Sequence, residues 1–134
     1  MPTVIEAWHD LVRRNDPEAI GPLLAEGCVF LSPVVHRPQL GRALTEMYLR
    51  AALGLLNVPG FHYTGEWASP GSAVLEFEGV VDGVTVNGVD MIWWNDANLI
   101  TRFKVMVRPL KAINLIHAHM GRMLEALAPT GAGQ

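Results

Sequence analysis

Cysteine is almost missing from this chain. Cys28 stands alone, which excludes an internal disulfide and any metal site built from several thiolates. A lone thiol suits a reducing compartment. Basic runs are missing too: none exceeds Arg13–Arg14, and the formal net charge is −3. Phosphate recognition needs clustered Lys and Arg, so nucleic acid is not an expected partner. No uncharged apolar stretch approaches the ~20 residues that span a bilayer. The opening Met1–Glu6 has no charged segment running into an apolar one, so no secretory leader is expected. These absences predict a cytoplasmic protein without a membrane partner. Internal repeats, low-complexity tracts and linkers are also missing.

What is present is apolar surface. Half of the 134 residues are hydrophobic and only 17% are charged, a rich mixture for one small domain. The surplus predicts a lined cavity, a subunit interface, or both.

The first half reads as helices. Thr3 and Glu6 form a capping-box pattern, and Ile5, Trp8, Leu11 and Val12 recur at helical spacing through Arg14. Asp16-Pro17-Glu18 starts a second short helix, predicted to run to about Ala25 and stop at Gly27. Cys28–Leu31 is a predicted strand. A loop with His36, Arg37 and Pro38 leads into a helix over Arg42–Leu56. The second half changes period. Strands are predicted over 61–68, 73–81, 84–94 and 100–107, joined by turn chemistry at Ser69–Ser72, Asp82-Gly83 and Asn95–Asn98. A last helix spans Leu110–Leu127, with Leu110, Ile113, Ile116, Met120, Met123, Leu124 and Leu127 as its stripe. Residues 1–128 are expected to be one domain and 129–134 a loose tail. Helices followed by a run of strands indicate α+β rather than a parallel βαβ sheet.

Asp90 is the first candidate for chemistry. Alternation puts Val86, Gly88, Asp90, Ile92 and Trp94 on one face of their strand. A carboxylate on so apolar a face is costly unless it is paired, solvated or neutral, and low polarity raises its pKa. Such a group can give or take a proton near neutral pH. The structural alternative is an Asp that bonds turn amides or pairs with Arg102 or Arg108. His117 and His119 project about 200° apart on a helix and cannot jointly hold a metal. No metal or other cofactor is expected. Glu76 and Glu78 share a solvated stripe opposite Leu75 and Phe77. Trp93 and Trp94 point to opposite faces, and Trp8 and Trp67 read as core.

The order of elements resembles the superfamily of nuclear transport factor 2 (NTF2), which includes ketosteroid isomerases and polyketide cyclases of the SnoaL type. The stretches Asn15–Ile20, Phe30–Val34 to Gly41-Arg42, and Val86–Ile100 followed by Phe103–Pro109 carry the likeness. It implies a cone-shaped fold, a curved antiparallel sheet with a mixed edge wrapped around N-terminal helices and closed by a C-terminal helix. It also implies a homodimer through the outer sheet face. Asp90 falls where these families place a functional Asp.

Two positions depart from the ketosteroid isomerases. Ser32 stands where they carry their base, and Trp8 where they carry an oxyanion-holding Tyr. The second Asp of limonene-epoxide hydrolases has no counterpart. Both of those activities are therefore disfavoured. SnoaL-type cyclases rely mainly on one Asp, often helped by a His, which nominates Asp90 with His36 as catalytic. Trp8, Ser32, Tyr63, Trp94 and Met106 are the candidate ligand-binding positions, around a small hydrophobic molecule. The implied activity is a cofactor-independent isomerase, cyclase or lyase acting on an apolar carbonyl compound. The alternative is a non-catalytic binding or interaction module.

Overall fold

The structure, a computed structural model, describes residues 3–127. The tail expected at 129–134, and the side chains of Leu124 and Leu127 in the last predicted stripe, lie outside what is described. Helix α1 spans Val4–Arg14, and its capping box forms as the sequence predicts, with Thr3 and Glu6 each satisfying the other's backbone N–H. Its buried face carries Val4, Ile5, Trp8, Leu11 and Val12.

The second predicted helix does not form. Two 3-10 turns, Pro17–Ala19 and Gly21–Leu23, take its place, and strand β1 (Leu24–Leu31) begins where the helix was to end. Pro22 supplies the reason. In the middle of an α-helix it would lack the N–H for an i−4 bond and clash with the preceding turn. The loop around His36 also contains a short unpredicted strand, β2 (Gln39–Leu40), antiparallel to β1.

Helix α2 spans Arg42–Leu56. The meander follows as β3 (His62–Ser69), β4 (Ser72–Val81), β5 (Val84–Trp94) and β6 (Ile100–Arg108), and helix α3 (Leu110–Leu127) completes the chain. The six strands form one sheet in the order β2-β1-β6-β5-β4-β3. All neighbours are antiparallel except β1 and β6. The sheet is curved and open, and the fold is the α+β cone that the resemblance implies. None of the described helices is long and apolar enough to cross a membrane.

The core fills the concave side of the sheet. Trp8 packs its ring 4.9 Å from Phe103, and Phe30 stacks on Tyr48 of α2 at 5.3 Å. On β5 the alternation is as read: Val86, Gly88, Asp90 and Ile92 are buried, and their neighbours are less so. Gly88 is required by close approach, because a Cβ there would strike the Met106 carbonyl and sit 2.6 Å from the Phe77 ring.

Strand β3 departs from simple alternation. Tyr63 pairs with Phe77 and Gly65 with Glu76, so an extra residue bulges between them. The bulge reverses the facing of everything after it. Tyr63 points inward with Phe77, whereas Trp67, opposite Val74, points outward and is 58% exposed. The expectation that Trp67 belongs to the core is thereby corrected.

Candidate functional site

Asp90 lies mid-sheet, between Leu75 on β4 and Val105 on β6. It is 7% exposed, and Asp90 and Thr45 are the polar residues in the buried set. Neither arginine considered as a partner reaches it. Arg102 stacks over Trp93 on the other face, 4.9 Å from the ring centroid, and Arg108 reaches Asn87 Oδ1 at 3.4 Å. Asp90 is met instead by a neutral relay. The Tyr63 hydroxyl donates to Asp90 Oδ2 at 2.9 Å, and Trp8 Nε1 donates to the Tyr63 oxygen at 2.9 Å.

The electrostatics follow from that geometry. Burial without a compensating cation raises the Asp90 carboxyl from 3.8 to about 7, and the Tyr63 hydrogen bond opposes the rise only in part. Burial also pushes the Tyr63 phenol well above its usual value, helped by the neighbouring Asp90, while the Trp8 N–H acts against it. Tyr63 therefore stays protonated and donates. With Oδ2 engaged, the remaining oxygen, Oδ1, is the one left to carry Asp90's own proton.

Two cavities meet behind this relay. A small one of about 40 Å³ is bounded by Asp90, Tyr63, Trp8, Asn57 and apolar side chains from α2 and the sheet. A larger one of about 430 Å³ opens beside it, lined by Phe30, Tyr48, Leu55, Ile116 and Met120 among others. Ala52, Leu56 and Val105 line both.

The structure brings Asp90, Tyr63 and Trp8 together. Ser32 lies on the larger cavity, where its Oγ accepts the N–H groups of Val34 and Val35. The remaining predicted positions are elsewhere. His36 is exposed on its loop and lines neither cavity, so it cannot assist Asp90 from there. Met106 is 52% exposed on the outer face, because Phe103, Val105 and Val107 are the inward residues of β6. The alternation Lys104-Met106-Arg108 already carried that signal. Trp94 is half-buried against the core but borders neither cavity. Arg37, Gln39 and His117, which the sequence did not mark as ligand-binding, all line the larger cavity. His117 follows Ile116 in the α3 stripe, which was its one signal. Among the described residues no group of His, Cys, Asp or Glu is placed to hold a metal ion.

No family model and no curated protein matches the sequence. Solved structures do. A steroid delta-isomerase from Pseudomonas aeruginosa is 34% identical, with a TM-score of 0.87 over 92% of this chain and 90% of that one. The chain belongs to the NTF2-like superfamily, with the ketosteroid isomerase-like fold. An uncharacterized protein with a cystatin-like fold from Silicibacter pomeroyi is 27% identical, with a TM-score of 0.81 over 89% of this chain and 83% of that one. The fold extends to an epoxide hydrolase/cyclase-like enzyme of pyran ring formation in the polyether salinomycin. That enzyme is 17% identical, with a TM-score of 0.64 over 80% of this chain and 89% of that one. Within this NTF2-like chain, Ser32 holds the turn that follows β1, and Trp8 spends its N–H on Tyr63 rather than on the cavity.

Proposed function

We propose that this protein is a cofactor-independent isomerase, cyclase or lyase in which Asp90 performs acid–base chemistry on an apolar carbonyl compound. One observation carries the reading: a carboxyl group buried against an apolar cavity, without a cation, held by a single phenol. With its pKa raised to about 7, Asp90 is divided between acid and carboxylate at neutral pH. It can then donate a proton or hydrogen bond to a carbonyl oxygen, or take a proton from the adjacent carbon. Tyr63 and Trp8 are positioning residues that fix the carboxyl plane and the free oxygen. The likeness to a steroid delta-isomerase favours proton transfer, although Ser32 gives this chain no second base at that place.

A panel of apolar ketones and esters in D₂O at pH 7, followed by proton NMR, tests the proposal. Wild-type protein is expected to exchange or isomerise one of them faster than Asp90→Asn by about 10²–10⁴, the usual worth of a general acid or base. A second reading, a non-catalytic binding module, is favoured by a specific fact. Asp90 is the one carboxylate lining either cavity among the described residues. Binding without any turnover, equal in wild type and Asp90→Asn, would establish that reading instead. The homodimer remains part of the proposal, since Trp67, Val80 and Met106 are exposed apolar groups on the outer sheet face.

A further inference from the structure

The larger cavity has an unbalanced polar complement. Its body is apolar, and its polar groups are Ser32, Arg37, Gln39, Tyr48 and His117. Among the described residues, no Asp or Glu lines it. Ser32 Oγ already accepts two backbone N–H groups, so its own proton is the part left to offer. Gln39 Nε2 donates one proton to the Arg37 carbonyl at 2.9 Å and retains another. The Arg37 guanidinium has no carboxylate partner among the described residues. Arg13, Arg14 and Arg50 are each engaged by Asp or Glu, whereas Arg42, Arg102, Arg108 and Arg122 share with Arg37 the lack of such a partner among the described residues; of these, Arg37 is the one that lines this cavity. A permanent cation beside an excess of unused donors, over an apolar cavity, is complementary to an anion with an apolar body.

We propose that the occupant of this cavity is an apolar carboxylate, its hydrocarbon part among Phe30, Leu55, Ile116 and Met120 and its carboxylate held by Arg37 with Ser32. This deepens the proposed function, because it rests on the cavity being a binding site and names the class of compound bound there. The apolar part of such a molecule would share its cavity with Ala52, Leu56 and Val105, which also line the Asp90 cavity.

Octanoate and octanamide, nearly identical in shape and different in charge, are suitable probes. Titration of each into isotope-labelled full-length protein gives two dissociation constants and maps the shifted resonances. Octanoate is expected to bind about tenfold tighter than octanamide, roughly one charge-assisted hydrogen bond at a partly solvated site. That preference should disappear in Arg37→Met and be largely restored in Arg37→Lys. Arg37 is exposed, so neither substitution threatens the fold. Equal binding of the two probes, or a preference that survives in Arg37→Met, overturns the carboxylate assignment and leaves the cavity reading intact. No shift at cavity residues with either probe removes the cavity reading itself.

Discussion

Replacing Asp90 with Asn isolates the energetic consequence of a buried, unpaired carboxyl. Asn keeps the shape and an oxygen that can accept from Tyr63, but it binds no titrating proton. In wild-type protein the folded carboxyl holds its proton up to about pH 7, whereas in the unfolded chain it releases it near the ordinary 3.8. Between those values the folded state binds more protons than the unfolded state, so stability falls as pH rises across the window. It is fully present below 3.8 and levels off above about 7. A displacement from 3.8 to about 7 corresponds to about 4 kcal/mol. Urea unfolding of both proteins from about pH 4 to about pH 8 measures this directly. All other groups titrate alike in the pair and cancel in the difference. Asp90→Asn should therefore gain about 4 kcal/mol relative to wild type across the range. A difference that stays flat would mean that ionised Asp90 is solvated or paired, and both the desolvation argument and the proposed chemistry would fail with it.

Tyr63→Phe removes the donor to Asp90 and leaves the Trp8 N–H without its acceptor. A loss of about 1–3 kcal/mol is expected in denaturant unfolding, and Asp90 should titrate higher still by NMR, since the Tyr63 bond lowers its pKa. An unchanged titration would show that the relay does not act on Asp90. Light scattering should report a dimer at micromolar concentration, weakened by Trp67→Glu on the exposed outer face; a wild-type monomer would remove the dimer from the proposal.

Much of the fold was legible in the sequence because local physics dominates there. The Thr3–Glu6 capping box, the limits of α2, β5 and α3, and the inward face of β5 all follow from spacing within one element. The second helix fails on a local rule, because the proline at position 22 would fall in its interior. Asp90 was legible as a candidate because a lone carboxylate on an apolar strand face is conspicuous whatever surrounds it.

Its partners were not legible as partners. Trp8 and Tyr63 lie 55 residues apart and meet only because β3 and α1 close over the same end of the sheet. The bulge after Tyr63 decided that this Tyr faces inward while Trp67 faces out, and no composition rule placed that extra residue. The larger cavity is also a product of packing. Its lining comes from β1, the loop after it and β2, from α2, from β6 and from α3, so Arg37 and His117 became neighbours of one space only when α3 folded back. Sequence alone determined the class of fold and the residue most able to titrate, since both are written in short-range patterns. Tertiary structure decided what surrounds that residue, because desolvation and hydrogen bonding depend on neighbours that are distant along the chain.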